Sequence, residues 1–381
     1  MKDLDLSQTS FVRTDEDRDE WKKARMAMKK TTQISVFLSL IFVLIPNFTF
    51  DCTSFALKHK GYLIFGTNYD NSFAPGMIYV NKRNVQKTGF EPGTSGKTAK
   101  WISKYGSVTF SNVGYQLAWA GMNEAGLVMS TMMLRETRNP APDERPPLIS
   151  PMWMQYLLDN CGTVDEVIKN DKLVRIFETI DHYLVCDREG NCAAIEFLDG
   201  KMVCHTGENL PVNALANKLY TTCADHWERK APSPTHPYDS INRIARVADK
   251  LTSYEAKDDK QAIDYAFNIL LDVRNPNNLA ATRWSIVFDT NNFKIYYRSY
   301  DNQNIRWIDF KKLDFDCRTP VKMLEVHNDL SGDVTDSFID YSHDLTLDLL
   351  LKSVKNFRPD IPPKQIKFLL QVVENFPCQS K

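Results

Sequence analysis

The chain is poor in what most simple readings of function need. Only 15 glycines are spread over 381 residues. That argues against repeat solenoids and against loops that cradle phosphate with backbone amides. Neither sign of charge is in excess, with 47 Lys and Arg against 48 Asp and Glu and a formal net charge of −1. No basic surplus points to nucleic acid, and no acidic block points to a disordered tail. There is no internal repeat and no low-complexity tract. The G-x-S-x-G elbow, the H-E-x-x-H helix and the Walker loop are all missing. The 7 histidines are scattered, and none pairs recognisably with a serine or cysteine nucleophile. Cys204-His205 followed by Cys223-Ala224-Asp225-His226 loosely suggests a zinc spacing but matches no standard finger. No metal and no cofactor are expected.

Long apolar runs are also scarce, and the one present stands apart. Ile34 to Ile45 reads ISVFLSLIFVLI, with Lys29 and Lys30 just before it. A membrane span needs about 20 apolar residues, so this run is short for one. It reads as the apolar region of a secretory signal with a basic flank. An uncleaved signal anchor and a buried core segment are the alternatives. The charged stretch Met1 to Arg25 is odd for a signal, and Met26 or Met28 would be a more natural start. The residues before Cys52 are Asn47-Phe48-Thr49-Phe50-Asp51, without the small residues of a signal-peptidase or lipoprotein site. The expectation is that residues 1–51 are a signal peptide plus short propeptide removed on maturation. Something other than signal peptidase would make the last cut, and the mature protein would be secreted or periplasmic without stable membrane insertion.

What is there in quantity is core-forming material: 43 % hydrophobic and 11 % aromatic residues. After Cys52 the text is strand-rich. Thr53 to Leu57, Tyr62 to Phe65, Met77 to Val80, Ser107 to Phe110, Gln116 to Ala120 and Leu127 to Met133 read as short strands joined by tight turns, which predicts an antiparallel sheet. Ser150, with Pro151 behind it, is read as the cap of a helix to about Asp159, and Thr163 opens a second. Strands return at His182 to Cys186, Ala193 to Phe197 and Lys201 to Cys204, the last two joined by Asp199-Gly200. Helices are expected at Ser240 to Thr252 and Lys260 to Leu271. Strands follow at Arg283 to Asp289, Phe293 to Ser299 and Ile305 to Asp309, then tail helices at Asp344 to Phe357 and Pro363 to Glu374. Runs of strands alternating with runs of helices point to α+β layers. No linker shows after Cys52, so residues 52–381 are read as one domain with a helical C-terminal extension from about 318. Of 8 cysteines, Cys186 and Cys192 flank a turn that would let them face each other.

The chemistry turns on Cys52. Freed as the first residue, it carries a thiol of reference pKa ~8.5 and an α-amine of ~7.7–8.0 on one amino acid. Each can exchange a proton near neutral pH, so the missing histidine partner is no obstacle. Self-cleavage before Cys52 would then account for the poor signal site. Around it stand Cys52-Thr53-Ser54-Phe55, Phe65-Gly66-Thr67-Asn68-Tyr69-Asp70 and Gly121-Met122-Asn123-Glu124-Ala125-Gly126-Leu127. Further along come the hairpin Ala193 to Val203, Leu215-Ala216-Asn217 and Ser240-Ile241-Asn242-Arg243. In this order and spacing, from Cys52 to about Asp309, these segments resemble the choloylglycine hydrolase and penicillin V acylase family, linear-amide hydrolases of the N-terminal-nucleophile type.

The resemblance implies an αββα sandwich of four layers with two stacked, mainly antiparallel sheets. It makes Cys52 the nucleophile, Asp70 the carboxylate that holds its amine, Asn217 an oxyanion donor and Arg243 the support of the nucleophile's setting. The implied partner is a small N-acyl amide; nucleic acid is not expected, and a homo-oligomer is left open. Two departures bear on the substrate. Thr67 stands where the bile-acid and penicillin enzymes usually have arginine, and Met133 takes the place of a second oxyanion asparagine. A methionine side chain cannot donate, so a main-chain amide near Asn68 or Tyr69 is the alternative donor. Phe73, Met77, Met132 and Met133 are candidates for an acyl pocket as well as for plain core. Acyl transfer on the same fold, and a non-catalytic exported binding protein, are the rival readings.

Overall fold

The computed structural model describes residues 52–379 apart from 90–97, 178, 231, 233–235, 277–279 and 358–361. The apolar run at 34–45 and the junction at Asp51 lie outside the described residues. Two strands open the fold, β1 (Thr53–His59) and β2 (Tyr62–Asp70). They pair antiparallel from Thr53↔Asn68 to His59↔Tyr62. Lys60 and Gly61 form the turn with φ of 48° and 87°, the double left-handed geometry that keeps a two-residue hairpin in step with strand twist. Gly66 is required for a different reason: a Cβ there would run into the Phe55 ring directly across the ladder.

The hairpin sits within a seven-stranded sheet ordered Ala214–Leu215, β1, β2, Thr282–Asp289, Lys294–Ser299, Arg306–Asp309 and Gly332–Asp333. Its pairs are antiparallel except the last, which is parallel. A nine-stranded antiparallel sheet runs Lys201–Thr206, Cys192–Leu198, Asp181–Cys186, Val128–Met133, Ala120–Asn123, Ser107–Ser111, Met77–Asn81, Lys322–Glu325 and Ile339–Asp340.

Period-two alternation sorts each strand between two cores. On β1 and β2, Ala56, Leu63 and Phe65 face Ile78, Val108, Phe110, Leu184 and Ala194 of the other sheet. Phe55, Leu57 and Ile64 face outward onto the helices Ser240–Thr252 and Asp259–Asp272. The outer face of the nine-stranded sheet, with Met129, Tyr183 and Ile195, is covered by Ser150–Asn160, Val164–Lys169 and the helices His343–Phe357 and Pro363–Glu374. Helices, sheet, sheet, helices: this is the four-layer α+β sandwich.

Local departures have physical reasons. Gln116 has φ 65° and lies in a turn, so the strand expected at Gln116 to Ala120 starts at Ala120 instead. Ser150 is not the cap. Ile149 holds that place without a side-chain bond, and the Ser150 hydroxyl is engaged by Asp181 and Tyr183. The segment from 318 is not simply helical, because Lys322–Glu325 and Gly332–Asp333 extend both sheets before the helices begin. Cys186 and Cys192 are disulfide-bonded as a register pair. A second disulfide, Cys317–Cys378, pins the tail. Among the described residues, no helix is long and apolar enough to cross a membrane, and no group of His, Cys, Asp and Glu could hold a metal ion.

Candidate active site

Cys52 lies just ahead of β1 and is 2 % exposed. Its sulfur is held by the main chain at the end of β2. The Asp70 N–H donates to Sγ at 3.4 Å, and Sγ donates to the Asp70 carbonyl at 3.8 Å. The carboxylate of Asp70 is buried, with Oδ1 accepting from the Thr282 hydroxyl at 2.6 Å. Thr282 reaches it because the β2 pairing with Thr282–Asp289 shifts register between Thr282 and Trp284.

Arg243 enters from the helix layer. Its helix, Ser240–Thr252, is capped by Asp239, which accepts from the Ile241 N–H, and Ile244, Val247 and Ala248 hold it on the sheet. That places the fully buried guanidinium of Arg243 against the start of β1. Nη1 donates to the Cys52 carbonyl at 2.8 Å and to Thr53 Oγ1 at 2.6 Å, and stands 4.0 Å from Asp70 Oδ2. Nη2 donates to Asn217 Oδ1 at 3.2 Å and Ser240 Oγ at 3.0 Å, and Nε to the Tyr238 carbonyl at 3.0 Å. A guanidinium can be buried only when its fan of N–H groups finds acceptors, and here both ends and the middle do.

Asn217 follows the short strand Ala214–Leu215, which pairs with β1 through Ser54↔Leu215. Its Nδ2 donates to the Met133 carbonyl at 3.0 Å. Met133 therefore offers an acceptor where a second donor was sought, and it takes up one of the two N–H groups of the Asn217 amide. The second N–H of that amide makes no hydrogen bond to the described residues. Thr67 has a neutral role: its hydroxyl bonds Ser54 at 2.8 Å, and Ser54 bonds Ser130 at 2.7 Å. This buried hydroxyl chain ties the two sheets together beside Cys52. All four expected residues, Cys52, Asp70, Asn217 and Arg243, thus meet at one end of β1.

The acyl-pocket candidates separate. Met132 shares the inter-sheet cluster with Cys52. Phe73 and Met77 pack instead with Tyr79, Tyr115, Met323 and Leu349. A group that sequence reasoning passed over is the aromatic stack behind Asp70. Tyr69 stacks on Trp284 at 4.0 Å, and Trp119 meets it edge-on at 5.0 Å. Burial, and then the neighbouring Cys52, push the Tyr69 hydroxyl well above its ordinary pKa, so it stays neutral and accepts from Asn112 Nδ2 at 2.8 Å. Its place beside Asp70 in the motif was the available signal.

Known proteins resemble this chain in sequence and fold. Residues 58–304 match the family of acyl-coenzyme A:6-aminopenicillanic acid acyl-transferase. A penicillin V acylase from Pectobacterium atrosepticum is 27 % identical over 284 residues, 62 % of this chain and 74 % of that protein. The structure of penicillin V acylase from Agrobacterium tumefaciens superposes with a TM-score of 0.67 at 26 % identity, covering 76 % of this chain and 98 % of that one. A conjugated bile acid hydrolase from Clostridium perfringens shares the fold at a TM-score of 0.60 and 17 % identity, over 74 % of this chain and 98 % of its own. The chain belongs to the acyl-transferase family it matches, within the choloylglycine hydrolase and penicillin V acylase group of N-terminal-nucleophile hydrolases.

Proposed function

We propose that this protein is a cysteine amidase that cleaves the linear C–N bond of a small N-acyl amide, with Cys52 as nucleophile once the residues before it are removed. That it is a hydrolase of non-peptide C–N bonds in linear amides rests on its penicillin V acylase and bile acid hydrolase relatives. The nucleophile is assigned from one observation: Arg243 bridges the Cys52 carbonyl, Thr53, Asn217 and the neighbourhood of Asp70 in a single buried network.

Each residue then has a task. A freed α-amine at Cys52 takes the thiol proton, and Asp70 is the carboxylate placed to hold the resulting ammonium. The positive guanidinium of Arg243 favours thiolate over thiol. The thiolate attacks the acyl carbonyl, and the remaining Asn217 N–H meets the oxyanion, a contact worth ~3–4 kcal/mol of barrier. The ammonium returns its proton to the departing amine. Water, activated by the same amine, then releases the acid from the thioester.

The test is a panel containing penicillin V, a glycine-conjugated bile acid and N-acyl p-nitroanilides, run with protein beginning at Cys52 and with its Cys52→Ala variant. Acid release by the first alone is the expected result. Equal activity of the two proteins, or mass analysis finding Asp51 still attached to active enzyme, would overturn it. Acyl transfer is the second reading, favoured by the name of the matching family. Adding 6-aminopenicillanic acid, the acceptor in the name of the matching family, separates them, because a transferase passes the acyl group to it at the expense of acid. Export to an oxidising compartment is proposed on the two disulfides.

A further inference from the structure

A buried charged cluster outside this network calls for its own explanation. Glu196 lies on the inner face of the nine-stranded sheet and has no exposure to solvent. Its Oε1 bonds His182 Nδ1 at 3.3 Å and its Oε2 bonds His205 Nε2 at 3.1 Å. The same Oε1 accepts from the Tyr220 N–H at 2.9 Å. Burial alone would raise the Glu196 pKa, but the bonds from His182 and His205 outweigh it and bring it down to about 2. The carboxylate is therefore kept ionised inside the protein.

Tyr220 is the first residue of the helix Tyr220–Glu228, three residues after Asn217. The residue before it, Leu219, has no side chain that caps the helix. The first-turn amides of a helix need acceptors and favour negative charge. Glu196 supplies both from another layer of the fold. The Tyr220 side chain adds a second tether: its hydroxyl donates to the Val212 carbonyl at 3.1 Å and accepts from the Val212 N–H at 3.2 Å. The segment carrying Asn217 is thus pinned on both sides, at Val212 and at Tyr220.

We propose that Glu196, bonded to His182, His205 and the Tyr220 N–H, is a positioning residue that sets the segment bearing Asn217 so that its free N–H meets the oxyanion. This rests on the reading of Asn217 as oxyanion donor. Glu196 does not touch the reacting atoms; it acts through Tyr220 on the main chain that leads back to Asn217.

The experiment is a double-mutant cycle on the N-acyl amide cleaved fastest in the panel. Glu196→Gln keeps the shape, removes the charge and weakens both histidine bonds. It is expected to lower kcat by about 10- to 100-fold, the cost of a small misplacement of a catalytic group, with KM within about twofold. In the Asn217→Ala background the same substitution should cost nothing further, since a residue acting through Asn217 has nothing left to position. A general structural role would instead lower activity equally in both backgrounds, and that result, or an unchanged kcat in Glu196→Gln, overturns the proposal. The Asn217→Ala baseline is read first: if that variant alone leaves kcat unaltered, the oxyanion reading fails and takes this one with it. Near-UV circular dichroism checks folding. Should Glu196→Gln not fold, His205→Gln on the edge strand Lys201–Thr206 is the second variant, expected to show the same background dependence with a smaller loss; an equal loss in both backgrounds overturns the proposal there too.

Discussion

The two ends of β1 each carry a polar cluster, and they are built to different standards. At the Cys52 end, Arg243 and Asp70 are wholly buried, and their partners come from two strands, a loop and a helix. At the other end His59 is buried, but it is bonded to the half-exposed Asp259 at 3.3 Å and to the Tyr254 hydroxyl at 2.6 Å, with Lys60 nearby at the surface. The residue types are similar and the strand is the same. Water makes the difference: it screens the second cluster, while the first must satisfy every charge internally. A strand can thus be anchored by charge at both ends, shielded from water at one and screened by it at the other.

Substitutions should reveal that contrast in order of size. Cys52→Ala is expected to abolish turnover, by on the order of 10⁴-fold or more, as removal of a covalent nucleophile does; acid release from the panel reads it. Arg243→Leu strips a buried carboxylate and several acceptors of their donor. It should destabilise the fold by about 3–5 kcal/mol, seen as a lower urea midpoint, together with loss of activity. Asn217→Ala should lower kcat by about 10²- to 10³-fold with little change in the melting curve. Asp259→Asn, at the opposite end, should cost under about 1 kcal/mol and leave kcat alone. A kcat loss there comparable with that of Asn217→Ala would erase the distinction between the two ends.

Acid titration should show the same asymmetry. The Asn292 bond, with those from Lys60 and His59, lowers the Asp259 carboxyl to about 2. A depressed carboxylate adds stability that is present above its unfolded pKa and lost as pH falls through the folded value. For Asp259 that window runs from about 4 down to about 2. Being exposed, it should be small and should shrink further in high salt. Comparing urea midpoints of the wild type and Asp259→Asn across this range checks it.

Much of the site was legible because its chemistry is local in sequence. Thr53 to Asp70 is a single hairpin, so Cys52 and Asp70 announce each other across a tight turn. Asn217 and Arg243 stand in short motifs that resemble a known family. What escaped notice is carried by distant partners. The helix Tyr220–Glu228 was missed because no capping residue precedes it; its acceptor is Glu196, on a strand of the other sheet. Glu196 itself did leave a trace, as a lone carboxylate on the inward face of the apolar run Ala193 to Phe197. The pairing of Cys317 with Cys378 spans 61 positions, and spacing could not select it. Thr67 and Met133 were read as losses, whereas one joins a hydroxyl chain and the other lends a carbonyl.

The stitching of the tail has a consequence for the order of events in the cell. Gln86 N–H waits for the Pro377 carbonyl, the Asn84 carbonyl for the Gln379 N–H, and Cys317 for Cys378. Residues made early therefore depend on residues made nearly three hundred positions later. Translation runs in one direction, and its early products begin to fold before the late ones emerge. The flank at residues 84–86 can pair early with residues 102–103, but its remaining bonds to the tail close only once position 379 has been delivered.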